Sequence, residues 1–270
     1  PIKLIVPTAA GSILDVFARR VTQHLADRLK QPVVIDNRPG ASNTLGVSMG
    51  AKAPADGYTL IAGSSSALAI APTLLKLDYD PRKDFEPISA IAQSPFVLVC
   101  NPNLPARTAA ELVALAKTKP RQLNYATTGN AGTNHVAMAA FAQQTGIELV
   151  HVPYRGNATA LVDLIAGQVQ MSFDFPGTAI SHIKAGKLRA LMVTSGKRIP
   201  GLPDVPTATE AGFAGFELYA WGGLLAPKGT PKAIVDRVHR ELREIFKYPD
   251  VREALERDGS TPTADSPELF

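Results

Sequence analysis

Strand-like apolar runs and helical periodicities alternate along almost the whole of this sequence, and that alternation restricts the fold more than any single residue does. Ile2–Val6 is an apolar run, followed by Leu14, Phe17, Val21, Leu25 and Leu29 at close to helical spacing. Residues 33–35 and 58–62 read as the next strands, with a Gly-, Ser- and Asn-containing segment from 37 to 46 between them. Residues 96–100 close this first part. Thr108-Ala109-Ala110-Glu111 is a capping box for a helix through Leu112 and Leu115 that ends at Lys119-Pro120. Strand patterns at 123–126, 149–152, 170–173 and 188–193 then alternate with helical cores at 136–141, 161–165 and 180–183. Gly146, Gly167 and Gly186 are placed to stop those helices. Beyond a strand pattern at 217–225, Thr230-Pro231 opens a helix that turns Ile234, Val235, Val238, Leu242 and Ile245 inward. The pattern predicts parallel sheets in an α/β architecture.

Two connections stand out. Pro7-Thr8-Ala9-Ala10-Gly11-Ser12-Ile13-Leu14-Asp15 and Thr127-Thr128-Gly129-Asn130-Ala131-Gly132-Thr133-Asn134-His135 each follow a strand, carry glycine and hydroxyls, and run straight into a helix. A strand–turn–helix start leaves backbone N–H groups beside the positive end of a helix dipole, a ready anion site. Two of them in separate halves of one chain predict a small anion gripped from both sides. Gly63-Ser64-Ser65-Ser66 after the 58–62 strand reads either as a Ser-rich helix cap or as hydroxyls at a cleft. Asp174, after the 170–173 strand, reads either as a cap for the next helix or as a site residue.

Composition narrows the function classes. At 270 residues, 45% hydrophobic and 19% charged, the chain has the make-up of one large globular domain or two lobes. No apolar run approaches the ~18 residues of a membrane span. The net charge is +4 with dispersed Lys and Arg, and no basic block is interleaved with aromatics, so nucleic acid is not an expected partner. The five histidines lack metal spacing, and no metal or cofactor is expected. Cys100, the one cysteine, sits in an apolar run and reads as a small buried hydrophobe. There is no GxGxxG after a strand, no GxxxxGK[ST], no HExxH and no GxSxG. Ser181-His182-Ile183-Lys184 matches S-x-x-K without its companion motifs and reads as a solvated helix face. Ser65, His135 and Asp174 all follow strands and sketch a hydrolase triad, but no strained elbow exposes a nucleophile, so no catalytic residues are expected.

Taken together, a longer series of segments resembles the extracytoplasmic solute-binding proteins of tripartite tricarboxylate transporters, the Bug family. The signposts are Pro7 through Asp15, Asp36-Asn37-Arg38-Pro39-Gly40-Ala41, Asp56-Gly57-Tyr58-Thr59-Leu60 and Leu123-Asn124-Tyr125-Ala126. They continue with His151-Val152-Pro153-Tyr154-Arg155-Gly156, Phe173-Asp174, Gly186-Lys187-Leu188-Arg189-Ala190-Leu191, Leu202-Pro203-Asp204-Val205-Pro206-Thr207 and Leu224-Leu225-Ala226-Pro227. The resemblance implies a two-lobed α/β periplasmic-binding-protein fold of type II, with the ligand cleft between lobes and two crossover segments. Crossings near 101–103 and 217–222 give residues 1–101 plus 218–270 as lobe one and 103–217 as lobe two. Gly222-Gly223 near one crossing is expected to let the backbone bend.

The resemblance also implies a monomeric periplasmic protein, its signal peptide absent from this chain, that captures a small carboxylic acid, either a dicarboxylate or an aromatic carboxylate. Its partners are membrane transporter subunits or a sensor. The ligand is expected to be held by backbone amides, hydroxyls and water. The matching positions are Thr8, Ala9, Ala10, Gly11, Ser12, Ser64, Ser65, Thr128, Gly129, Asn130, Ala131, Gly132, Thr133, Asn134, Asp174 and Phe175. Three positions depart from the family pattern: Thr8 replaces an aromatic, Gly11-Ser12 replaces Gly-Gly, and Phe175 replaces a small polar residue. Phe175 is either a core residue or an apolar wall that favours bulky acids.

Overall fold

The structure, a computed structural model, describes residues 1–257 and 259–270. The chain opens with β1 (Ile2–Val6), α1 (Ile13–Leu29), β2 (Val33–Asn37), α2 (Thr44–Ala51), β3 (Thr59–Ser64), α3 (Ala71–Leu74) and β4 (Phe85–Pro95). Next come β5 (Val97–Cys100), α4 (Ala109–Thr118), β6 (Asn124–Thr127), α5 (Thr133–Thr145) and β7 (Val150–Pro153). They are followed by α6 (Asn157–Ala166), β8 (Met171–Asp174), α7 (Pro176–Lys184) and β9 (Arg189–Val193). β10 (Tyr219–Pro227), α8 (Lys232–Ile245), α9 (Pro249–Arg257) and β11 (Thr261–Pro262) come last. The chain divides into two compact units: Pro1–Gln93, Trp221–Leu255 and Ser260–Phe270, and Ser94–Ala220 with Glu256–Gly259.

The first unit is built on the sheet β11-β4-β10-β3-β1-β2. β1 pairs in parallel with β2 and β3, with Leu4 opposite Ile35 and Leu60. Leu4, Val6, Leu60 and Ala62 face a core completed by Phe17, Val21 and Leu25 of α1 and Val238, Leu242 and Ile245 of α8. Ile61 faces the opposite core with Val47, Tyr79 and Phe85. Burial on both faces explains why these strands read as near-continuous apolar runs.

The second unit carries the sheet β7-β6-β8-β5-β9. Leu98, Phe173, Met138 and Phe141 fill one face; Val97, Val99, Leu161, Leu164 and Ala179 fill the other. Cys100 is fully buried, and burial pushes its thiol up to about 11, the state of an inert hydrophobe.

Three expectations need correction. The sheets are mixed, not parallel: β10 runs antiparallel to β3, and β5 runs antiparallel to β8 and β9. β5 belongs to the second unit, so the first crossing lies at Gln93–Ser94 rather than near 101–103, while the second, at Ala220–Trp221, falls within the expected 217–222. Pairing with β8 and β9, invisible in local sequence, decides this. β4 and α2 were not foreseen; α2 has apolar and small residues all round (TLGVSMGA) and so no helical stripe. Gly222 and Gly223, just past the second crossing, are strand residues with no room for a side chain. A Cβ on Gly223 would enter the ring of Phe270, and one on Gly222 would press on Leu14 Cδ1 at 3.0 Å.

Gly50 on α2 tests this packing. A Cβ there would run into Ile61 Cγ1 of β3. Helix propensity alone would make Gly50→Ala stabilising by about 1 kcal/mol. Overpacking should reverse the sign and cost ~1–3 kcal/mol, read as a lower thermal midpoint in calorimetry.

Candidate functional site

Each anion-type turn sits at the carboxyl end of buried parallel strands, where an α/β sheet places its open backbone. In the first unit, Thr8–Ser12 leaves β1 while Ser64 and Ser65 leave the adjacent β3. Ser12 is the N-cap of α1: its Oγ accepts from the Asp15 N–H at 3.3 Å and donates to Thr8 Oγ1 at 2.6 Å. The Ser12 N–H donates to Ala9 O at 3.2 Å, and the Gly11 N–H to Asp15 Oδ2 at 2.9 Å. Several N–H groups of this turn are therefore engaged internally, where the sequence pointed to free ones. Gly11 has φ +82°, the left-handed turn that glycine tolerates. Ala9, Ala10 and Gly11 are exposed.

Ser64 Oγ accepts from Asn43 Nδ2 at 3.3 Å and from the Ala67 N–H at 3.4 Å. Ser65, buried, accepts the Trp221 N–H at 3.3 Å, so its hydroxyl holds the start of β10. α2 closes over the first turn so tightly that a Cβ on Gly46 would come within 2.8 Å of Pro7 Cα.

In the second unit, Thr128–Asn134 connects β6 to α5. Asn134, buried, closes the loop: its Oδ1 accepts from the Thr128 N–H at 3.3 Å and from Thr128 Oγ1 at 3.1 Å. Gly129 at φ +120° and Ala131 at φ +61° make the bend, and a Cβ on Gly132 would crowd Asn134 Oδ1 at 2.9 Å. Gly132 caps α5 without a side-chain hydrogen bond, and no acidic residue occupies the helix's first turn. The N-terminus around Thr133 and Asn134 thus presents its dipole without an internal countercharge. Asn130 is exposed at the tip.

Asp174 ends β8, beside β6. Its Oδ1 accepts from Asn157 Nδ2 at 2.7 Å, from the Phe175 N–H at 2.7 Å and from Thr178 Oγ1 at 3.0 Å. Oδ2 is buried with no hydrogen-bond partner. Burial pushes the carboxyl up to about 6, against those three donors, which favour the charged form. Both readings of Asp174 thus have a basis, since it secures the start of α7 and keeps one oxygen unpaired. Phe175 is half-buried and packs on the core with its ring 5.0 Å from Phe96, which supports the core reading.

Asn157 and Thr178, which join Asp174 in one network, escaped the sequence reading; Asn157 follows a quoted signpost directly, which was the available signal. So did a stack of Tyr125, His151 and His135, in which the imidazoles lie 4.2 Å apart. Burial lowers the pKa of both histidines, and His135 lowers that of His151 further. His151 Nε2 lies 2.6 Å from Thr127 Oγ1, beneath the second turn. Among the described residues no hydrogen bond joins His135 to Asp174, and Asp174 is occupied elsewhere, so the base–orienter pair of the sketched hydrolase is not assembled. No group of three or more metal-ligating side chains occurs among the described residues. A crevice of about 750 Å³ beside edge strand β9, between Arg107 and Glu210, is lined by none of the candidate residues.

Comparison with known proteins follows the same lines. The profile described as the tripartite tricarboxylate transporter family receptor matches residues 17–268. The structure of Rpa4515 from R. palustris with adipate is 35% identical, covers 99% of this chain and 90% of that one, and superposes with a TM-score of 0.95. The periplasmic binding protein BugD is 33% identical over 99% of this chain and 90% of its own, with a TM-score of 0.93. MatC from Rhodopseudomonas palustris with bound malate is 33% identical over 97% and 89%, with a TM-score of 0.91.

The buried Asp174 should leave a signature in stability. Its folded-state value of about 6 lies above the ordinary carboxylate range, so the folded chain holds this proton more tightly than the unfolded chain does. Its contribution is full below about pH 4 and is lost as pH rises through 6, a change of about 3 kcal/mol. Urea unfolding of the protein and of Asp174→Asn at pH 4 and pH 7 checks this. The parent should lose stability relative to the variant across that interval.

Proposed function

This chain belongs to the tripartite tricarboxylate transporter receptor family, and on that premise we propose that it captures a small carboxylic acid outside the cytoplasm and delivers it to a transporter of that type. The observation that carries the reading is similarity along the whole chain to proteins holding adipate and malate. BugD, a periplasmic binding protein of like similarity, supports a periplasmic location. The ligand class is a short aliphatic dicarboxylate. Packing of Phe175 on Phe96 weakens the reason to expect an aromatic acid.

The residues proposed to hold the acid are Thr128–Asn134 with Asp174 in the second unit, and Thr8–Ser12 with Ser64 and Ser65 in the first. The uncapped start of α5 is the strongest anion element, with Thr133 and its neighbours donating to a carboxylate. A hydrogen bond to a charged acceptor contributes about 1.5–3 kcal/mol and a helix N-terminus up to ~2. A few such terms, less the cost of association, reach the ~8 kcal/mol of micromolar affinity. Asp174, if charged, repels a carboxylate and serves a hydroxyl; protonated, it becomes a donor. The protein acts by binding alone, as a monomer, without turnover.

Calorimetric titration with adipate, malate, citrate and benzoate tests the proposal. Saturable binding of a short dicarboxylate is expected, weakened in Thr133→Ala by ~1–3 kcal/mol. Silence with every acid, together with saturable ester hydrolysis lost in Ser65→Ala, would overturn it.

A further inference from the structure

Behind the first turn stands a set of side chains that bind its two ends together. Asp15, in the first turn of α1, is 1% exposed. Its Oδ2 accepts from the Gly11 N–H and from Arg19 Nε, both at 2.9 Å, and its Oδ1 accepts from Asn37 Nδ2 at 2.8 Å. The same Asn37 Nδ2 donates to the Thr8 carbonyl at 3.0 Å, while Arg19 Nη2 donates to Asn37 Oδ1 at 3.1 Å. Thr8 opens the turn and Gly11 bends it; Asp15 holds one, Asn37 the other, and the two hold each other.

Ordinary capping accounts for part of this. Ser12 caps α1 by accepting the Asp15 N–H, and the Asp15 carboxylate reaches back to the amide four residues before it, as Glu111 does to Arg107 at the start of α4. Asp15 differs in being buried and tied to Asn37, whereas Glu111 is exposed. Asp15 is not an anion-repelling wall for a ligand, because both its oxygens are turned to internal donors and Arg19 pairs its charge. A carboxylate buried here costs desolvation that an apolar residue would avoid. What it supplies, beyond the Ser12 contacts within the turn, is a tie at Gly11, where packing gives none: a Cβ there would meet nothing within 4 Å.

We infer that Asp15 and Asn37 are positioning residues of the proposed ligand turn, clamping its two ends so that the remaining backbone of Thr8–Ser12 is held in the binding shape before ligand arrives. This rests on the reading of that turn as part of a carboxylate site. Pre-organisation of this kind raises affinity by removing the ordering cost from the binding step.

The test separates the clamp from the function. In ligand-free protein, hydrogen exchange of the Gly11 amide should accelerate by ~100-fold in Asp15→Ala while amides of β1 and β3 keep their protection. Adipate affinity should fall ~10-fold or more in the same variant. Asp15→Asn keeps an acceptor for the Gly11 N–H but turns an NH2 toward Asn37 Nδ2, so it should restore much of the Gly11 protection while adipate affinity stays between that of the parent and that of Asp15→Ala. Should Asp15→Ala not fold, Asn37→Ala, which strips the donor from the Thr8 carbonyl and from Asp15 Oδ1, should weaken adipate binding in protein that still unfolds cooperatively. Unchanged adipate affinity in folded Asp15→Ala overturns the inference, as does a Gly11 amide that exchanges no faster in that variant. If the parent protein binds none of the acids, the functional reading falls instead, and Gly11 exchange alone still decides whether the clamp exists.

Discussion

Parallel strands with apolar side chains on both faces leave a chain little room for chemistry except at their ends, and this protein depends on that constraint twice. β1 is hydrogen-bonded on both edges and buried on both faces, and β6 lies between β7 and β8. Every polar group along such a strand is committed to the sheet. Open backbone appears only where the strand gives way to a helix. α1 and α5 both begin at such points, yet they differ electrostatically. The start of α1 is satisfied from within by Ser12 and Asp15, whereas α5 starts on Gly132 with neither a side-chain cap nor an acid. The positive end of the second dipole is the less compensated.

Local sequence showed the strands, the amphipathic helices and both turns because each leaves a short-range signature. The stripe of Leu14, Phe17, Val21, Leu25 and Leu29 is buried as its spacing requires, and Gly146 and Gly167 end α5 and α6 in left-handed conformation. What local sequence could not show was pairing. β5 reads like any apolar strand, and only its ladder with β8 and β9 assigns it to the second unit. α2 escaped because a helix packed against Pro7 through Gly46 and against β3 through Val47 and Gly50 displays no polar face to contrast with an apolar one.

At the candidate site, the turns themselves were legible and their supports were not. Thr8–Ser12 and Thr128–Asn134 announce themselves by glycine and hydroxyl content next to a strand. Asn37, by contrast, reaches Asp15 across two elements, and Asn157 reaches Asp174 from a different helix. Such contacts have no fixed spacing, so no window of sequence contains them. Phe175 is a third case: its contact with Phe96 comes from a residue far away in sequence and has no local signature.

The order of strands in the first sheet also bears on how the chain comes to be folded. β4 lies between β10 and β11, and β3 between β10 and β1, yet β10 is made only after residue 218. As the chain leaves the ribosome, β4 has no neighbour to pair with and β3 keeps a bare edge until the 94–220 segment has been synthesised. That segment contains all five strands of its own sheet and is free to fold first. The first unit is thus begun early and finished late, and in the interval it exposes the unpaired strand edge that invites misassociation.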